Sequence, residues 1–186
     1  MTTPIFLKDA KELLTEQGFA TSNTWYHGTS SALVESIKDQ GLNRSGDKAL
    51  KQAAKQTMAT IGNSYTETIE PVFLTQSKEL AYFWAAQTVR NRSVRIEGDE
   101  EPVVFEVTLS DDLNSRVKTD VGAASLLMVK EGEAYLAHLA GLYEECGLEA
   151  PEIDLKSADR MDYLNKLGMA YYDYDIDKDS VNLLSE

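Results

Sequence analysis

The stretch Trp25-Tyr26-His27-Gly28-Thr29-Ser30 constrains this chain most, because it sets a strand, a stop and a helix start within a few residues. Thr24-Trp25-Tyr26 reads as a short strand, Gly28 as the turn that ends it, and Thr29 or Ser30 as the N-cap of a helix. Leu33, Val34 and Ile37 give that helix an apolar stripe, which Gly41 closes. His27 is one of only two histidines. It stands at a strand end beside a glycine, where a ligand can come close to the backbone. The same ring could serve only to hydrogen-bond a turn, and the sequence leaves both readings open.

The remaining pattern predicts a helix over 5–17, with Leu7, Ala10, Leu13 and Leu14 on one side and Gly18 as its stop. Residues 43–70 are polar, with a helix near 47–59 and a loop through Gly62-Asn63-Ser64. Val72-Phe73-Leu74 forms a strand, and Ser77 caps a helix over 78–90. The clearest strand is 103–109, β-branched and alternating. A helix over 121–146 carries Leu126, Leu127, Tyr135, Leu136, Leu139 and Leu142, and Gly147 and Pro151 end it. Ser157 caps a further helix that stops at Gly168, and two strands, 170–176 and 181–184, follow. With 186 residues, 42% of them hydrophobic, this order predicts one α+β domain.

The net charge of −13 disfavours broad contact with a nucleic-acid backbone. Two groups of cations, Arg44, Lys48, Lys51, Lys55 and Arg90, Arg92, Arg95, read either as solvated faces or as one anion-binding edge. Such acidity also suits a protein that presents negative charge to a basic partner. Cys146 is alone, so no internal disulfide is expected, and one cysteine with two histidines offers no zinc site. No run approaches the roughly 18 apolar residues that span a bilayer, so no membrane association is expected. The first residues show no signal-peptide pattern, and a reducing, cytoplasmic setting is expected. His138 reads as a helix-surface residue, and Cys146, with no histidine nearby in sequence, reads as no nucleophile.

Three features carry a resemblance: Tyr26-His27-Gly28-Thr29 followed by a helix and Gly41-Leu42; Val72-Phe73-Leu74-Thr75 followed by a helix with Ala81-Tyr82; and the order of strand 103–109, helix 157–167 and a terminal strand pair. Together they resemble an ADP-ribosyltransferase-type domain of the diphtheria-toxin and poly(ADP-ribose) polymerase branch, and more distantly the RNA 2′-phosphotransferases. The resemblance implies split antiparallel β-sheets with flanking helices over 24–186, an added N-terminal helical element over 1–20 and a helical insertion near 121–146. It implies NAD as substrate and no metal. His27 would bond a hydroxyl of the adenosine-side ribose, Gly28 would clamp the nicotinamide carboxamide through its backbone, and Thr29 or Ser30 would add a hydroxyl. Phe73 and Tyr82 would flank the nicotinamide ring, with Thr75 and Arg44 as further contacts. A carboxylate would stabilise the oxocarbenium-like ribose left when nicotinamide departs.

The sequence departs from that family in two places. Phe73 stands where the family has tyrosine, and no glutamate stands in 169–185, so the acid would be Asp173, Asp175 or Asp179, with Glu106 and Glu186 as outside candidates. The expected activity is mono-ADP-ribosylation of a macromolecule, protein favoured over nucleic acid, by a bacterial or phage effector. Two alternatives are RNA 2′-phosphotransfer, for which Arg44 is the one suitably placed arginine, and a non-catalytic acidic interaction protein on the same scaffold.

Overall fold

The computed structural model describes residues 2–60, 62, 68–122, 125, 129–154 and 158–186. In chain order these hold a 3-10 turn (Ile5–Leu7), α1 (Ala10–Leu13), β1 (Leu14–Thr15), β2 (Gly18–Phe19), β3 (Thr24–Ser30), a 3-10 turn (Ser31–Leu33), α2 (Val34–Gln40) and α3 (Lys48–Thr60). Then come β4 (Val72–Leu74), α4 (Lys78–Ser93), β5 (Pro102–Thr108), α5 (Asp111–Asn114), β6 (Lys118–Thr119), α6 (Lys130–Glu145), α7 (Arg160–Asn165), β7 (Ala170–Tyr172), a 3-10 turn (Lys178–Ser180) and β8 (Val181–Leu183). The fold is α+β with split antiparallel sheets: β3-β5-β8, β4-β7-β6 and the hairpin β1-β2. No helix among the described residues is long and apolar enough to cross a membrane.

The two larger sheets pack face to face. Trp25, Phe105 and Val107 from one meet Val72, Leu74, Ala170 and Tyr172 from the other in one buried cluster. A second cluster joins Leu80 of α4 to Tyr135, Leu139 and Leu142 of α6, with Tyr163 of α7 and Leu167 just after it. On the remaining face of β3 and β5, α4 lays Ala81 and Tyr82 against Val104, with Leu7 alongside.

Gly28 is the tightest point of that contact. It lies inside β3, which continues to Ser30, so the turn expected at Gly28 is absent and the cap is Ser30, whose Oγ accepts the Ala32 N–H. A Cβ on Gly28 would sit 1.8 Å from the Ala81 carbonyl oxygen and 2.8 Å from the Ala85 nitrogen. The glycine therefore lets a helix, rather than a ligand, approach the side of the strand.

Tertiary bonds also reshape elements that the periodicity predicts. The helix expected over 5–17 breaks into the 3-10 turn, α1 and the β1-β2 hairpin. Buried Asp9 turns its carboxylate to the start of α4, accepting the Ser77 hydroxyl at 2.5 Å and the Lys78 N–H at 2.7 Å. Glu79 returns the arrangement, taking the N–H of Asp9 at 2.6 Å and of Ala10 at 2.7 Å, which starts a new helix there. The helix expected over 121–146 is α6 alone; Leu126 and Leu127, like Asn63 and Ser64, lie outside the described residues. Ser157 also lies outside them, and α7 is capped instead by Asp159 in a capping box with Asp162. The two last strands do not pair: β7 joins β4 and β6, while β8 joins β5. A Leu42–Ile176 bridge pins the chain as it crosses between the sheets.

Replacing Gly28 with Ala should force strand and helix apart, costing about 3 kcal/mol or more. For a chain of this length that corresponds to a melting temperature lower by roughly 10 °C. Differential scanning calorimetry checks it, and an unchanged melting temperature would contradict the close contact.

Candidate functional site

β3 and β4 meet at a single rung. Tyr26 N–H donates to Thr75 C=O at 2.8 Å, and Thr75 N–H donates to Tyr26 C=O at 2.9 Å. Bonded positions alternate along an antiparallel strand, so Gly28 aims its N–H and C=O out of the same edge as Tyr26, away from β5. The bonds to the other side fix the phase: Leu109 N–H donates to Asn23 C=O, and Ser31 N–H to Glu101 C=O, both at odd-numbered positions of β3's side. Continuing the Tyr26–Thr75 register would place Phe73 opposite Gly28, yet no such pair forms among the described residues. The sheet splits there, and the Gly28 amide edge and the Phe73 carbonyl face the gap.

The His27 ring bridges part of that gap, with Nδ1 2.9 Å from the Phe73 carbonyl oxygen. Burial pushes the imidazole below its ordinary pKa, and the bond to the carbonyl offsets this in part. A carbonyl only accepts, so the neutral ring carries its proton on Nδ1 and leaves Nε2 as a bare acceptor.

The other residues expected to share the site are distributed on both sides of it. Neighbours across an antiparallel rung share a face, so Thr75 and Phe73 lie on the Tyr26 side while His27 lies on the Trp25 side. His27 thus meets the backbone of Phe73, whose ring is 50% exposed, and not the ring itself. Thr29 is buried on the His27 face, and Thr75 is buried with its hydroxyl donating to Ser77 C=O at 2.9 Å. Tyr82 is buried in the cluster with Ala81, Leu7 and Val104, where burial raises its phenol pKa. Its ring does not pair with the Phe73 ring.

The three aspartates are engaged elsewhere. Asp173 pairs with Lys118 at 2.6 Å, and Asp175 accepts the backbone N–H of Arg44 at 2.7 Å. Asp179 is exposed in the 3-10 turn before β8, its N–H donating to Asp177. The β8 residue level with Phe105 and His27 is Leu183, and Asp179 lies in the 3-10 turn before Val181, which is level with Val107 and Trp25. Among the described residues no carboxylate bonds the His27 ring. Glu106 lies on the opposite face, level with Tyr26, and Glu186 lies three residues beyond the end of β8.

Sequence reasoning missed the ionic cluster at the end of the motif. Ser30, fully buried, donates its hydroxyl to Glu100 Oε2 at 2.5 Å. Buried Arg92 forks onto Glu100, Nε to Oε2 at 2.6 Å and Nη2 to Oε1 at 3.0 Å, and bonds Asp47 through Nη1. The Arg92 contact is the main reason the Glu100 carboxyl falls below its ordinary pKa. Arg92 therefore does not belong to an exposed cationic edge. Arg44 is half-buried, and its Nε has no partner among the described residues. His138 is not on an open helix surface: its ring stacks on Phe83 at 5.2 Å, and its buried Nε2 has no partner among the described residues. A pocket of about 380 Å³ lies away from His27, beside β6, β7 and α7, with Thr119, Arg160, Tyr163 and Tyr171 in its wall.

No family model, curated protein or solved structure matches the chain.

The His27 geometry sets one spectroscopic expectation. Nitrogen-15 shifts at pH 7 should report a neutral ring protonated at Nδ1 with Nε2 bare. A ring protonated at Nε2 would remove the bond to Phe73 from the site.

Proposed function

We propose that this chain is an NAD-dependent mono-ADP-ribosyltransferase that seats nicotinamide at the split between β3 and β4. The observation that carries the reading is the parted edge after the Tyr26–Thr75 rung, where the N–H and C=O of Gly28 face outward beside the His27 ring. A carboxamide offers one donor and one acceptor side by side, the complement of a free strand edge. Nε2 of His27 is then an acceptor for a ribose hydroxyl, and the unpartnered Nε of Arg44 is a donor for the diphosphate. Ser30 would act through its place in the strand, since its hydroxyl already serves Glu100. The acceptor is a macromolecule, protein before nucleic acid on a chain of net charge −13, in a cytoplasm that can be a host's if the protein is an effector.

One observation favours a second reading, binding without turnover. Asp173 and Asp175 hold other partners, Asp179 lies along the strand from His27, and catalysis of nicotinamide loss calls for a carboxylate near the reacting ribose. An acidic interaction protein on this scaffold needs none.

Titration calorimetry with NAD and release of labelled nicotinamide separate the readings. Binding with release supports transfer, binding without release supports a site that holds NAD without turnover, and no binding ends the NAD reading and favours the acidic interaction protein, which has no need of NAD. His27→Ala should weaken NAD binding about tenfold, the worth of one hydrogen bond. Protonation would turn Nε2 from acceptor to donor, and burial holds the ring's pKa below the usual imidazole value of about 6.5. Affinity should therefore stay level from pH 8 to about 6.5 and fall only in more acid solution, as the proton arrives. A loss of affinity centred above pH 6.5 would contradict a neutral, half-buried His27.

A further inference from the structure

We propose that Arg92 is a positioning residue for the split, fixing the end of β3 through Glu100 and seating α3 at the mouth of the cleft through Asp47. The proposal rests on the NAD reading for its effect on affinity, and on the bonds below for its mechanics.

Arg92 is 3% exposed near the end of α4, and its guanidinium is shared between two carboxylates from different parts of the chain. Glu100 passes the constraint to β3 by accepting the hydroxyl of Ser30, whose oxygen also accepts the Ala32 N–H at 3.2 Å. Asp47 passes it to α3, because its second oxygen accepts the Leu50 N–H at 3.0 Å in the first turn of that helix. Extending the Tyr26–Thr75 register by two more rungs sets Ser30 against Pro71, so Ser30 marks one lip of the split and the start of β4 marks the other. The segment before α3 and the first turn of α3 are tied to that second lip as well. Ser45 Oγ accepts the Glu70 N–H at 2.6 Å, and Lys51 Nζ donates to Thr68 C=O at 2.9 Å.

Polar ties matter here because α3 has no buried residue to hold it by packing. The helix carries Lys48, Lys51 and Lys55 and no acid, in a chain that is otherwise strongly acidic. Anchoring its first turn beside Ser30 brings cations to the mouth through which an anionic dinucleotide enters. Removing Arg92 outright would leave two half-buried carboxylates uncompensated and risks unfolding. Asp47→Asn is the cleaner variant, since it removes the charge facing Arg92 and keeps an oxygen for the Leu50 cap.

The test combines NAD titration, steady-state kinetics and amide hydrogen exchange on the intact chain. Asp47→Asn should raise the Kd and KM for NAD about tenfold, leave kcat within about twofold and speed exchange in α3 and residues 31–33. Asp47→Glu, which keeps the charge, should recover most of the affinity. Unchanged Kd and exchange in Asp47→Asn overturn the proposal, as does a parallel fall of kcat with a general rise in exchange across β5, which would mark plain destabilisation. If the unaltered chain binds no NAD, the NAD reading fails and exchange decides the coupling alone. Faster exchange confined to α3 and residues 31–33 then upholds the Arg92 link, and unchanged exchange removes it.

Discussion

The closest contact between strand and helix, Gly28 of β3 against Ala81 and Ala85 of α4, governs what surrounds it. With no side chain on that face, α4 settles onto β3 and β5, burying Ala81, Tyr82 and Ala85. The chain leading into α4 is β4 and Thr75, so fixing the helix also fixes where β4 touches β3. One rung forms at Tyr26–Thr75, and beyond it β4 belongs to the sheet with β7 and β6. Such a split leaves main-chain donors and acceptors facing an opening, and these are obligatory hydrogen-bonding groups that seek a partner. In this chain the His27 ring meets one of them, the Phe73 carbonyl.

Charge is arranged on two levels. The surface is acidic, yet the buried ions are few and each is tied to a backbone or to an opposite charge. Asp9 and Glu79 lie at each other's helix starts, where exposed N–H groups and the positive ends of peptide dipoles accommodate carboxylates. Burial is the main reason the Asp9 pKa is raised, and the neighbouring Glu79 charge adds to it. Arg92, by contrast, is compensated by two carboxylates, and it joins Glu100, eight residues on, to Asp47, 45 residues back in the sequence. The first arrangement anchors the N-terminal element to the start of α4, and the second ties the end of β3 and the residue before α3 to the end of α4.

The strand at His27, the helices begun by Ser77 and ended by Gly168, the strand through Phe105 and the α+β class were all legible, because each rests on short-range pattern: alternation, caps and stops. Less legible was anything that depended on a distant partner. The run 5–17 has helical periodicity, but the carboxylate exchange between Asp9 and Glu79 breaks it, and no window of sequence contains both. The last two strands look like a hairpin, being separated by a short acidic stretch, yet they satisfy different sheets. Arg92 resembled a member of a solvated cationic run until Asp47 and Glu100 were brought to it.

Sequence alone determined which residues can end a strand, start a helix or face a core, since those preferences come from backbone sterics and side-chain polarity within a few positions. It also placed a histidine and a glycine at the strand that would matter. Only the tertiary structure decided that the glycine receives the helix on its Cα face and leaves its amide edge at the split between β3 and β4. It also set His27 against the backbone of Phe73, drew Tyr82 into the core, and left the terminal aspartates apart from the ring. These outcomes follow from how two sheets and a helix share space, and that geometry exists only once residues far apart along the chain are packed together.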